Sequence, residues 1–181
     1  VRDIDLIDRL ASAAGVCVAV TITSSSAEIS GRIEPGAPAP DERARALKEL
    51  SKTGAFTGLH YFPVIPFLGD TEETVSAITE MAADSGCDYI MPGFLYLRGG
   101  IKEMFLREIA VKFPGLEERY RELYAKGSAE PSYKKSFYSV FYSHAGKKNL
   151  CTDYRKFLPR QPEKSTRAGT GKQAGQLTLP F

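Results

Sequence analysis

Val16-Cys17-Val18-Ala19-Val20-Thr21-Ile22-Thr23 is the stretch that decides the fold. It is apolar and rich in β-branched residues, without the in–out alternation of a strand that has one face in water. Such a run suits a strand of a parallel sheet, buried on both faces and joined to its neighbours by helices. Helical patterns flank it on either side. Residues 3–14 set Ile4, Ile7, Leu10, Ala11 and Ala14 at helical spacing and stop at Gly15. Residues 41–54 place Ala44, Leu47 and Leu50 inward, with Gly54 as the C-terminal stop.

The unit repeats twice more. FTGLHYFPVI (56–65) reads as a second strand. Asp70-Thr71-Glu72-Glu73 opens a helix through a capping box, followed by Val75, Ile78, Met81, Ala82 and the stop Gly86. YIMPGFLYL (89–97) is a third strand, bulged at Pro92-Gly93. Three helix–strand units in series give an α/β fold with a parallel sheet. Three strands cannot close a barrel, so the alternatives are a small open sheet or part of a larger β/α barrel. The connection GRIEPGAPAP (31–40) reads as a long loop stiffened by three prolines.

From residue 101 the pattern is all-helical. Phe105, Ile109 and Phe113 form one stripe, and Leu116, Tyr120 and Leu123 another. Residues 132–159 interleave Tyr133, Phe137, Tyr138, Phe141 and Tyr142 with Lys134, Lys135, Lys147, Lys148, Arg155 and Lys156. The phenylalanines at i and i+4 read as core. The tyrosines and lysines suit nucleic acid, since rings stack on bases while cations neutralise phosphates. Residues 160–175 lack large apolar side chains and read as a flexible linker to Gln176-Leu177-Thr178-Leu179-Pro180-Phe181.

The 181 residues allow one domain with a core, or a domain with a tail. Residues 1–130 hold 14 Lys and Arg against 20 Asp and Glu, whereas residues 131–181 hold 10 against 2. That asymmetry points the C-terminal segment toward phosphate-rich partners. Cys17, Cys87 and Cys151 stand far apart, as do His60 and His144, so neither a disulfide framework nor a metal site within this chain is expected. No run is long enough to span a bilayer and no signal segment opens the chain, which places it in the cytoplasm. Val1 in first position suggests a fragment or a processed product.

Ligands of parallel α/β folds bind at the carboxyl ends of the strands. There stand Thr21, Thr23 and Ser24–Ser26, then Arg32 and Glu34; next Pro63, Val64, Ile65 and Pro66; and last Leu95–Leu97 with Arg98. Hydroxyls and two arginines make a rim for a polar, partly anionic ligand. No nucleophile–base pair, P-loop or dinucleotide fingerprint is present.

In order and spacing, RDIDLIDRL (2–10), VTIT (20–23), RIEPGAPAPDERARALKELSKTG (32–54), PVIP (63–66) and LYLRGG (95–100) resemble the second half of radical S-adenosylmethionine proteins. The branch is that of spore photoproduct lyase and "DNA repair photolyases". The resemblance covers residues 1–113 and implies the C-terminal half of a β/α barrel, followed by a basic aromatic helical extension (114–159) and a flexible tail (160–181). It further implies a nucleic-acid-directed lyase of DNA repair, with S-adenosylmethionine and a four-iron four-sulfur cluster in the complete parent. The CxxxCxxC loop that holds the cluster is not in this sequence. The half-barrel would therefore need its N-terminal half as a partner, or would self-associate, and alone should not cleave S-adenosylmethionine. Carried over by position, Thr21 or Thr23 would meet the cofactor's ribose or carboxylate. Arg32 or Arg43 would bind its methionine carboxylate, with Arg43 more suited to bracing the loop through Glu34. Val64 and Ile65 would wall the adenine, and Leu97 with Arg98 would form the last rim.

The C-terminal hexapeptide resembles the peptide by which repair and replication proteins dock on a sliding clamp, with Gln176, Leu177, Leu179 and Phe181 as its anchors. The alternative to an enzyme is thus a non-catalytic nucleic-acid or clamp-binding module on an enzyme-like half-barrel. A peptide ending in QLTLPF should bind a sliding clamp and lose that binding on Phe181→Ala in a calorimetric titration; unchanged binding would refute the motif.

Overall fold

The computed structural model describes residues 2–157. Three parallel strands, β1 (Cys17–Thr21), β2 (Phe56–Val64) and β3 (Tyr89–Phe94), form one open sheet in the order β1-β2-β3. The helices are α1 (Ile4–Ala13), α2 (Ala27–Ile33), α3 (Pro40–Leu50), α4 (Glu72–Ser85), α5 (Gly100–Lys112), α6 (Glu117–Leu123) and α7 (Pro131–Lys147). The chain is α/β, as its sequence pattern requires.

One face of the sheet is sealed. Ile22, Leu59, Tyr61, Val64 and Ile90 pack under Leu47 of α3, Val75, Ile78 and Ala82 of α4, and Phe137, Phe141 and Ala145 of α7. Helix α7 is therefore part of the sheet's own core. A second cluster stands above the strand ends, where Ile65, Leu68 and Leu97 meet Leu106 and Ile109 of α5, its cap Phe113 and Tyr120 of α6.

Local chemistry sets the helix ends. Thr71 caps α4 by accepting from the Thr74 N–H (3.2 Å), and Gly86 stops it in the left-handed conformation (φ 68°). Pro40 opens α3, and Glu42 reaches back to the Ala39 N–H (3.0 Å).

Four expectations are corrected. Residues 27–33 are helical, so Arg32 lies on α2 and the loop after β1 is shorter than the proline pattern suggested. Helix α3 stops at Leu50 with Ser51 as its cap, ahead of Gly54. Tyr61 faces Pro92 and Val64 faces Phe94, so the extra residue of the bulge lies in β2, opposite Pro92-Gly93. Helix α1 forms but buries no residue, leaving Leu6 and Leu10 more than half exposed.

Phe141 is sealed in the core while its neighbour Tyr142 is 53% exposed. Phe141→Ala should cost about 3–5 kcal/mol in urea unfolding and Tyr142→Ala no more than about 0.5 kcal/mol. Equal losses would remove α7 from the core.

Candidate functional site

The rim after β1 is built around Arg43. Its Nη1 donates to the Thr21 carbonyl (3.0 Å), its Nε to the Pro38 carbonyl (2.9 Å), and its Nη2 pairs with Glu34 (3.0 Å). The same Glu34 carboxylate accepts the Thr23 hydroxyl (3.0 Å). A guanidinium fork with three acceptors holds the proline-rich connection against the strand end. Thr23 is thereby buried and occupied, whereas the Thr21 side chain stays exposed. Arg32 points elsewhere: its guanidinium stands 4.2 Å over the Phe113 ring, with Glu28 at 3.8 Å.

Between α2, the strand ends and α5 lies an apolar cleft of about 350 Å³, lined by Ile33, Ile65, Leu95, Leu97, Phe105 and Phe113. The Lys112–Glu108 pair (3.2 Å) sits at its edge. Of the residues proposed from sequence, Ile65 and Leu97 meet in this cleft. Val64 does not: it is fully buried on the sealed face, because consecutive residues of a strand point to opposite sides. Arg98 lies outside the cleft, 4.8 Å over the Tyr96 ring.

The turn after β2 is tied down by tyrosines. Tyr61 donates to the Gly69 carbonyl, Tyr120 to the Pro66 carbonyl, and Tyr133 to Asp70 Oδ2 (2.5 Å), while Asp70 Oδ1 accepts the Phe67 N–H (2.7 Å). Burial pushes the Asp70 carboxyl up, against the pull of those hydrogen bonds. Gly69 presses on the end of β1, where a Cβ would stand 2.5 Å from the Thr23 carbonyl.

The other face of the sheet carries a polar row that the sequence did not reveal, since it treated Cys17 and His60 as isolated. The Tyr89 hydroxyl meets Cys17 Sγ (3.4 Å) and His60 Nε2 (3.1 Å), so the row crosses all three strands. Gly58 makes this possible: a Cβ there would lie 2.2 Å from the Tyr89 ring, which lies flat across the strand. His60 stacks on Phe62 (centroids 5.1 Å), and Phe62 in turn covers Gly93. Phe157 stacks on Tyr89 at the lower end of this face (5.8 Å). Glycines inside aromatic-rich strand patterns, Gly58 and Gly93, were the available signal. Among the described residues no three His, Cys, Asp or Glu side chains converge as a metal site, and no helix is long and apolar enough to cross a membrane.

The residues offered for nucleic acid divide. Lys148 pairs with Glu80 (3.2 Å), Lys134 donates to Ser128 (3.0 Å) and Tyr138 is half-buried against Phe94. Lys135, Lys147 and Tyr142 are exposed. The clamp-like peptide, Gln176 to Phe181, lies outside the described residues.

Burial holds the His60 imidazole below its ordinary range. The unfolded chain then takes up the proton more readily, so this contribution to stability is whole above about pH 6.5 and is lost as pH falls below it. Asp70, raised by burial, acts in the opposite sense at lower pH. Urea midpoints at acid and neutral pH should draw closer in His60→Gln than in the native chain; an unchanged gap would refute the assignment.

Compared with known proteins, the chain is 30% identical over 163 residues to uncharacterized proteins of Mycobacterium bovis and of two Mycobacterium tuberculosis strains. The alignment covers 90% of this chain. No family model matches, and no solved structure does. At 47% of each relative, the chain spans about half the length of the curated proteins it matches.

Proposed function

We propose that this chain supplies three strands of a larger β/α barrel, the C-terminal half of a radical S-adenosylmethionine enzyme acting on nucleic acid in the manner of spore photoproduct lyase. The observation that carries the reading is the inequality of the two sheet edges. The outer edge of β3 is engaged, with the Ile90 N–H on the Cys151 carbonyl (2.9 Å) and, beyond the strand, the Leu97 N–H on Gly127 (2.9 Å). The outer edge of β1 pairs with no strand among the described residues, and α1, tied to Gly54 through Asp8 (2.8 Å), shows its leucines to water. A parallel strand with one open edge and a half-covered face calls for another strand. The greater length of the relatives leaves room for one.

The chain's own residues suit the cofactor in part. The cleft between Ile65 and Leu97 is apolar and within the size range of small-molecule sites, as an adenine ring needs. Thr21 offers an exposed hydroxyl at the end of β1, held in place through its carbonyl by Arg43. In this reading the cluster's thiolates come from another part of the barrel, since the CxxxCxxC loop is not in this sequence. S-adenosylmethionine, reductively cleaved at such a cluster, supplies a carbon radical that removes hydrogen from a substrate. In this reading Ile65, Leu97 and Phe105 exclude water from the adenine, and the Arg43 brace keeps the rim from yielding as it binds.

The chain co-produced with the flanking reading frame, reconstituted anaerobically with iron and sulfide, should form 5′-deoxyadenosine from S-adenosylmethionine. Leu97→Asp should raise the cofactor Kd about tenfold or more by charging the apolar cleft. A flanking frame without a CxxxCxxC loop, or a Kd indifferent to Leu97→Asp, would sink the reading.

A further inference from the structure

We infer that the carboxyl end of β3 carries a contact surface for single-stranded nucleic acid, built from Tyr96, Arg98, Lys126 and Lys134. Two segments make it. Tyr96 pairs with Ser128 in an antiparallel bridge, and the Leu97 N–H donates to the Gly127 carbonyl (2.9 Å). Gly127 permits the close approach: it has φ 80°, and a Cβ there would stand 2.8 Å from the Leu97 carbonyl and 3.1 Å from Arg98 Cγ. Leu97 is buried, so the residues on either side of it turn outward. The Tyr96 ring is 51% exposed, with the Arg98 guanidinium 4.8 Å from its centroid.

Lys134, from the first turn of α7, reaches over to Ser128 (3.0 Å). With Lys126 and Ser128 it lines a groove of about 240 Å³ that holds a single acid, Glu130. An open aromatic ring, an arginine stacked on it and two lysines thus surround one bridge. That combination recognises an unstacked base on the ring and phosphates on the cations. A duplex keeps its bases stacked and offers the ring nothing, so the partner is a single strand. The surface takes only Lys134 from the α7 set and otherwise uses residues that the helical pattern of α7 does not include. It rests on the nucleic-acid part of the function proposed above and is independent of the cofactor part.

The test is fluorescence anisotropy of a labelled oligodeoxythymidine with the full chain across a salt series. Three cations on phosphates predict a slope of about −2 in log affinity against log salt, and Lys126→Gln should reduce it by about 0.7. Tyr96→Ala should weaken binding about tenfold while Tyr96→Phe keeps it. The triple change Lys135→Gln, Tyr142→Ala, Lys147→Gln on α7 should leave it as it was. Thermal melts identify any variant that fails to fold, and Arg98→Gln, altering an exposed side chain, then stands in for Tyr96→Ala. Affinity that survives Tyr96→Ala and Arg98→Gln, loss confined to the α7 variant, equal competition by polyglutamate, or no binding at all would each overturn the inference. S-adenosylmethionine binding, measured separately, shows whether the cofactor reading stands or falls by itself.

Discussion

The seal that α3, α4 and α7 form over Leu59, Tyr61 and Val64 fixes the central strand, and everything at the strand ends takes its position from that strand. Because side chains alternate along a strand, locking these residues on one face presents His60 and Phe62 on the other at a set spacing. The same lock holds the start of the Ile65–Gly69 turn, and so one wall of the cleft. The second face has no comparable cover. Its rings lie flat on glycines rather than standing up into a layer of helices, with Phe157 and Tyr154 reaching only its lower end. A sheet so unequally covered is what the proposed continuation beyond β1 explains.

The strands and the longer helices were legible because each carries its own signal: a β-branched run for β1, aromatic and apolar residues for β2, Thr71 and Gly86 bracketing α4. Helix α2 was not. It has seven residues with Gly31 inside, and its cap, Ser26, hides in a run of three serines. That Ile65 and Leu97 share the cleft was legible from position along the chain, since both lie past strand ends. The site was illegible where register decides it. Cys17 and Tyr89 are 72 residues apart, and only the pairing of three strands brings their side chains together. Parity also separates Val64 from Ile65, which a strand-end rule alone treats as equivalent.

The polar interactions differ in weight for the same physical reason. Pairs such as Lys52–Glu49 and Arg121–Glu117 lie on helix surfaces and contribute little against solvent and side-chain entropy. Arg43, 14% exposed, satisfies two carbonyls and a carboxylate at once, away from most of the competing solvent. The tyrosine hydroxyls do the same for the β2–α4 turn, whose carbonyls point inward. Tyr124 is the exception among the described residues, a buried hydroxyl without a partner. Nothing in the structure explains it.

Gly69 against the Thr23 carbonyl welds the two rims together. Thr23 is fastened to Glu34, Glu34 to Arg43, and Gly69 to the tyrosine-bound turn, so the lips of β1 and β2 form one arch without slack. Helix α5, opposite, shows Ile101, Met104 and Val111 to water, lines the cleft with apolar side chains and is tied to the Tyr124 carbonyl through Lys102 (3.0 Å). The cleft therefore has one jamb braced by a charged and hydroxyl network and an opposite wall made mainly of apolar side chains, so its two sides would answer differently to a polar and to an apolar guest.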